Sequence, residues 1–280
     1  MFGFFKRRRR RKILAEPFPD AWENILRKNF PLYLRLSDAD RRELRDHIRI
    51  FIAEKNFEGA GELQITDEIR VTIAAQACML LLHRESDYYP RLRSIIVYPH
   101  AFVSQVREQA SLGVVSEREV VRLGEAWGHG TVVLAWDHTR SGAADIRDGH
   151  NVVFHEFAHQ LDQESGDANG APVLERSSMY VAWARVLGEA YARLQKDSGQ
   201  GRSSVLDSYG ATNPAEFFAV ATEAFFEKPC QLRRSYPELY DELKMYYQQD
   251  PEEFFEHPEQ YGAGDHIAGS GDVICTTEKQ

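Results

Sequence analysis

The chain has 280 residues, 43 % hydrophobic and 28 % charged, with a formal net charge of −9, which is enough apolar content for one large core or two small ones. Residues 1–12 carry seven positive charges and no negative one, leaving −16 on the remaining 268; so acidic a body argues against stable nucleic-acid binding by the folded part, which would want a basic face. No stretch approaches the ~18 apolar residues of a membrane span, and no phosphate-cradling glycine loop is present.

In chain order, Phe2, Phe4 and Phe5 precede the run Lys6 to Lys12, and only Ile13-Leu14-Ala15 follow before Glu16. That order and length are wrong for a signal peptide, so a cytoplasmic protein is expected, with residues 1–17 a flexible basic tail. Contact of the arginine run with anionic lipid stays open because of the flanking phenylalanines. Trp22 to Phe30 reads as a short helix, a second begins near Ser37 with Asp38 and Asp40 in its first turn, and a third runs from about Thr66 to His83, together forming an N-terminal helical layer. Strand-like stretches follow at Ser94 to Tyr98 and Thr131 to Trp136, separated by turns at Gly113, Gly124, Gly128 and Gly130. The second strand is expected to border a cleft. Later helices are expected at Met179 to Gln195 and Tyr236 to Gln248, and residues 259–280 read as a flexible tail. Cys78, Cys230 and Cys275 are too widely spaced for a cysteine-based zinc site.

The segment that decides the reading is His155-Glu156-Phe157-Ala158-His159. Positions i and i+4 lie about 40° apart on a helix, so both imidazoles can reach one zinc ion while the glutamate between them handles a water's proton. A shuffled chain of this composition would contain the pattern roughly 3 % of the time, so the flanks matter. Phe154, Phe157, Ala158 and Leu161 follow i, i+3, i+4, i+7 and make an apolar stripe beside the histidine face. His150 falls on another face near the helix start and reads as a solvated or capping residue.

A catalytic zinc needs a third protein ligand and one open position. Asp162 lies about 4.5 Å further along the helix axis than His159 and overshoots the metal; a role holding the other nitrogen of a histidine ring suits it better. Glu216 opens a helix behind Asn213 and Pro214, where a glutamate also completes a capping box and needs no metal. Glu223, seven residues on along the same face, is a rival. On spacing alone the choice stays open.

The block Ser208-Tyr209-Gly210-Ala211-Thr212-Asn213-Pro214-Ala215-Glu216-Phe217-Phe218-Ala219 resembles a segment of the anthrax lethal factor catalytic domain, a zinc peptidase. From Trp22 to about Tyr247, notably at Val97-Tyr98-Pro99, His155 to Asp162 and Tyr209 to Phe218, the chain resembles the Mlc titration factor A family of bacterial cytosolic proteins. The first resemblance implies Glu216 as third zinc ligand and a Tyr209 hydroxyl aimed at the reaction centre. The second implies a zinc-dependent, aminopeptidase-like enzyme whose namesake binds a sugar-regulated transcriptional repressor, Mlc.

The expectation is therefore an α+β, predominantly helical zincin-like fold with a small mixed sheet beside the zinc helix, residues 18–258 forming one catalytic domain. One Zn2+ per chain on His155, His159 and Glu216, with Glu156 as proton carrier and Tyr209 stabilising the oxyanion, would hydrolyse peptide bonds. A regulatory repressor-binding protein with minor peptidase activity is the alternative; retention of Glu156 and Tyr209 favours the enzyme, because metal-stabilised folding requires neither.

Overall fold

A computed structural model of the chain describes residues 2–109, 115–122, 124–127 and 130–256. Helices form where an apolar stripe meets a start signal. Ser37 caps α4 (Asp38–Glu54) by accepting the Asp40 N–H, and Thr66 caps α5 (Asp67–Met79) by accepting that of Ile69. With α1 (Phe2–Ala15), α2 (Asp20–Asn29) and the single turn α3 (Pro31–Leu34), they make the N-terminal layer. α5 is its centre: ten of its thirteen residues are buried, from Ile69 to Met79.

The first fifteen residues differ from the flexible tail expected of them. α1 lies against α4, with Arg10 forked onto Glu54 at 2.8 and 2.7 Å and Lys6 2.7 Å from Asp87. Those acids, remote in sequence, neutralise the inner side of a helix whose own like charges would otherwise oppose it. The C-terminal tail call lies outside the described residues.

Four strands form a mixed sheet in the order β1 (Asn56–Gly59), β2 (Ser94–Tyr98), β6 (Thr131–Ala135), β5 (Gly124–Trp127). The first three run parallel, with Ile95 opposite Val132 and Val97 opposite Leu134, and β5 is antiparallel to β6. β6 is therefore an inner strand and β5 the edge. β3 (Phe102–Gln109) and β4 (Val115–Arg122) pair as a separate antiparallel ribbon.

α6 (Trp136–Ala144) leads from the sheet to α7 (Val152–Asp162), which packs beside β5 and β6. A 3-10 turn at Gln163–Ser165 ends it, and α8 (Met179–Gly199) follows. A second 3-10 turn, Ser208–Ala211, precedes α9 (Pro214–Glu227). α10 (Pro229–Ser235), α11 (Pro237–Tyr247) and α12 (Glu253–Glu256) close the described chain. The fold is thus a predominantly helical α+β fold with a small mixed sheet beside α7. Among the described residues, no helix is long and apolar enough to cross a membrane.

α9 is buried on almost every side, and α7 is seated against it. Phe154 meets Phe226 with ring centroids 5.1 Å apart, and Phe157 meets Tyr89 at 4.9 Å and Phe51 at 5.7 Å. All five of those rings are 0–1 % exposed, and each such aromatic burial contributes about 1.5–3 kcal/mol. The stripe read from the sequence is the face that holds α7 in place.

Candidate metal centre

The start of α7 is fixed by Asn151, whose side-chain oxygen accepts the N–H groups of Val153 and Phe154 at 3.1 and 3.0 Å. Its amide group donates to the Gly142 carbonyl and to Glu227, and its backbone N–H donates to Glu223 at 2.6 Å. His150, expected as solvated or capping, leaves the cap to Asn151 and stays exposed, 3.9 Å from Asp207.

One turn further on, the His155 and His159 rings stand with centroids 4.9 Å apart at 79°. Glu216 meets them from α9. Asn213 accepts the Glu216 N–H at 3.0 Å as helix cap, but the Glu216 carboxylate turns away from the cap: its Oε2 lies 2.9 Å from His155 Nε2 and 3.2 Å from His159 Nε2. Only the Asn213 half of the capping box is made, through the Glu216 backbone; the side chain that would complete the box lies at the two rings instead.

Glu223, two turns along the same face of α9, approaches the opposite side of the first ring, with Oε1 2.7 Å from His155 Nδ1. Its position is that of an orienting carboxylate, with Nδ1–H donated to it and Nε2 turned to the centre. Its second oxygen is the one that accepts the Asn151 N–H, so one carboxylate joins the helix cap to the ring.

The electrostatics match a cation site. Burial disfavours a charged His155, yet its contacts with Glu216 and Glu223 outweigh that and hold its pKa well above the ordinary histidine value. Burial likewise works against an ionised Glu216, but the two imidazoles outweigh it and depress its pKa far below the usual carboxylate range. The donor set is two imidazole nitrogens and one carboxylate oxygen, all within 4.8 Å of one another. In a tetrahedral zinc site with bonds of about 2.0–2.1 Å, ligand atoms stand about 3.3 Å apart, so the separations to Glu216 fit zinc closely.

Glu156, between the two histidines, is 5 % exposed. Tyr209 sits on the 3-10 turn before α9, whose N-terminus Asp207 caps by accepting the Tyr209 N–H at 2.7 Å. The Tyr209 ring centroid is 6.0 Å from that of His155, and the residue is 49 % exposed, so it stands over the open side of the cluster. Gly210 next to it is wedged between α8 and α9: a Cβ there would meet Leu194 and Val220 at 3.2 Å.

Asp162 differs from the ring-holding role read for it. Its Oδ2 accepts the Gly170 N–H at 2.8 Å, closing the loop after α7. Gly170 has φ +76 and a Cβ on it would lie 2.5 Å from the Pro214 carbonyl, which ties this loop to the first turn of α9. The carboxylate placed at a ring's second nitrogen is Glu223, and the ring is His155 where Asp162 was expected to hold His159. Asn151 as the hub of the cap was not read from the sequence; the Asn before an apolar run was the available signal.

Two histidines and a glutamate brought together from a buried helix pair make a candidate metal site, and the sequence profile gives the class: a metallopeptidase-like protein. Residues 4–248 match the sequence profile of the glucose-regulated metallo-peptidase M90 family, and the chain belongs to that family. It is 43 % identical over 246 residues to the uncharacterized protein slr2042 of Synechocystis sp., covering 87 % of this chain and 89 % of the relative. It is 31 % identical over 239 residues to Mlc titration factor A of Klebsiella pneumoniae, covering 82 % and 86 %. To Mlc titration factor A of Escherichia coli it is 28 % identical over 245 residues, covering 84 % and 88 %.

Proposed function

We propose that this protein is a zinc-dependent peptidase, aminopeptidase-like in its preference and working in the cytoplasm, with one zinc held by His155, His159 and Glu216. The observation that carries this reading is the convergence of those three side chains from two helices, with Glu216 2.9 and 3.2 Å from the two ring nitrogens. Zinc in that position supplies a Lewis acid that polarises a peptide carbonyl and acidifies a water.

The chain's own residues carry the rest. Glu156, held out of bulk solvent, accepts the proton of the attacking water on a carboxylate oxygen and delivers it to the departing amine nitrogen. The Tyr209 hydroxyl donates to the oxygen that becomes negative as the carbonyl carbon turns tetrahedral. Glu223 keeps the Nδ1 proton of His155 in place, so that Nε2 presents its lone pair.

A second reading is favoured by the relatives called Mlc titration factor A: capture of an Mlc-type transcriptional repressor, alongside hydrolysis or in place of it. One experiment addresses both. The purified chain is assayed for zinc content, for hydrolysis of N-terminally free and N-terminally blocked peptides with and without chelator, and for binding to Mlc. Chelator-sensitive cleavage of free N-termini at about one zinc per chain is expected. Zinc binding without cleavage of any peptide, together with Mlc binding, would replace the enzyme reading by the regulatory one.

A further inference from the structure

α1 packs seven consecutive cations, Lys6 to Lys12, into fourteen residues with no acid in its first turn. The helix sorts them. Lys6, Arg10, Ile13 and Leu14, at i, i+4, i+7 and i+8, face the body, where Arg10 meets Glu54 and Asp87 and lies over the Tyr88 ring at 4.5 Å. Arg9 donates to the Ala53 carbonyl at 2.9 Å. Arg7, Arg8, Arg11 and Lys12 are exposed and make no hydrogen bond or ion pair among the described residues. At about 100° per residue these four fall, with Phe4 and Phe5, within an arc of roughly 160°. Phe4 and Phe5 are 64 % and 61 % exposed.

This outward strip is costly as it stands. Like charges at i, i+4 (Arg7 with Arg11, Arg8 with Lys12) repel, and cations in the first half of a helix oppose its dipole. Two neighbouring phenylalanines in water add apolar surface in the midst of that charge. All three costs are relieved by one kind of partner: a plane of anionic groups with an apolar layer directly beneath.

We propose that the outward face of α1 docks on an anionic bilayer surface, its four cations among the lipid headgroups and Phe4 and Phe5 dipping to the acyl boundary. A nucleic-acid duplex fits less well. It offers phosphates but no apolar layer for the two rings, and α1 has one side sealed against α4, which leaves a flat strip in place of a helix free to enter a groove. The acidic body does not defeat the contact, since α1 with its side chains is about 10–12 Å thick and the screening length at physiological salt is about 8 Å. The geometry is that of an interfacial amphipathic element carried on the side of a folded domain. It is independent of the chemistry at the metal centre.

The test uses the full chain and flotation with vesicles of phosphatidylcholine alone or with about 30 % phosphatidylglycerol. Binding to the anionic vesicles, weakened by salt and absent on neutral ones, is expected. At about tenfold for every one to two cations near such a surface, Arg7→Gln/Arg8→Gln/Arg11→Gln/Lys12→Gln lowers partitioning by about 100-fold or more. Phe4→Ser/Phe5→Ser lowers it by about 100-fold with the charges intact. Inorganic phosphate at matched ionic strength does not compete. Circular dichroism and peptide hydrolysis of both variants stay at the level of the parent, because all six residues are exposed and, among the described residues, the four cations make no hydrogen bond or ion pair to the body. Equal binding to neutral vesicles, retained binding by the four-cation variant, or affinity for a short DNA duplex with none for vesicles overturns the proposal.

Discussion

The α7–α9 junction and the α1–α4 junction are both held by charged side chains, and they differ in what surrounds the charges. At α7–α9 the carboxylates of Glu216 and Glu223 meet His155 between phenylalanine layers that are fully buried. At α1–α4 the forked Arg10–Glu54 pair is similarly sheltered, at 17 and 12 % exposure, but the pair beside it is open, with Asp87 52 % and Lys6 40 % exposed. Water and salt weaken the exposed Lys6–Asp87 pair, whereas the side chains of His155, Glu216 and Glu223 are 8–18 % exposed and are screened less. Ion pairs thus position ring nitrogens in one place, and in the other hold a surface helix through one sheltered pair and one exposed one.

The comparison is broken most directly at Glu216. Glu216→Ala removes an anionic donor from the cluster, and zinc affinity measured by competition with a chelator should fall further than the about 10–100-fold expected of Glu223→Gln, and further than in Asp162→Ala, which loses a loop contact to Gly170. If Asp162→Ala proves the most damaging of the three, the donor set has been misassigned. Glu156→Gln should keep about one zinc per chain while hydrolysis drops at least about 100-fold; equal turnover in that variant would remove the proposed proton carrier. Tyr209→Phe should show a smaller loss, confined to kcat with KM little changed, and an unchanged kcat would return the ring to a packing role.

At the surface helix the effects shrink. Arg10→Ala, which breaks a two-pronged and partly buried pair, should cost about 1–3 kcal/mol in denaturant unfolding, and removal of residues 1–12 should leave hydrolysis nearly intact; a loss of activity with the fold retained would mean that α1 shapes the site. pH sharpens the contrast. Burial pushes the Asp87 pKa up, but its hydrogen bonds and charge contacts with Lys6 and Arg10 win and hold it below its ordinary value. A depressed folded-state pKa stabilises the contact above the unfolded value and loses it as pH falls through the folded one. Loosening of α1 is thus expected below about pH 4, seen as faster hydrogen exchange in residues 2–15 after correction for intrinsic rates, while at neutral pH high salt alone should produce a milder version.

What the sequence made legible follows from range. The α7 stripe and the Asn213-Pro214 start of α9 are local patterns, and α2, α4, α5, α8, α11 and the strands β2 and β6 lie close to where period and caps place them; α6 and α10 were not legible, and Gly124, expected in a turn, opens β5. β1 was not legible, since Asn56–Gly59 is four residues with an exposed pattern and owes its form to pairing with β2. α1 was misread because its stabilising acids lie 44 and 77 residues away, beyond any periodicity argument. Glu216 and Glu223 share a helix face, so spacing named both but could not separate the carboxylate at the ring's Nε2 from the one at its Nδ1; only the approach of α9 to α7 makes that distinction.

Because the proposed donors sit on two helices, the centre has an order of assembly. His159 leaves the ribosome 57 residues ahead of Glu216, a lag of about 3–11 s at ordinary rates of synthesis. Throughout that interval the nascent chain carries only two imidazoles, a weak and unselective metal trap. With the donor set proposed, tight loading would wait until α9 has folded down onto α7, metal uptake would be one of the last acts of maturation, and metal content in a freshly made sample would count the molecules that have finished folding.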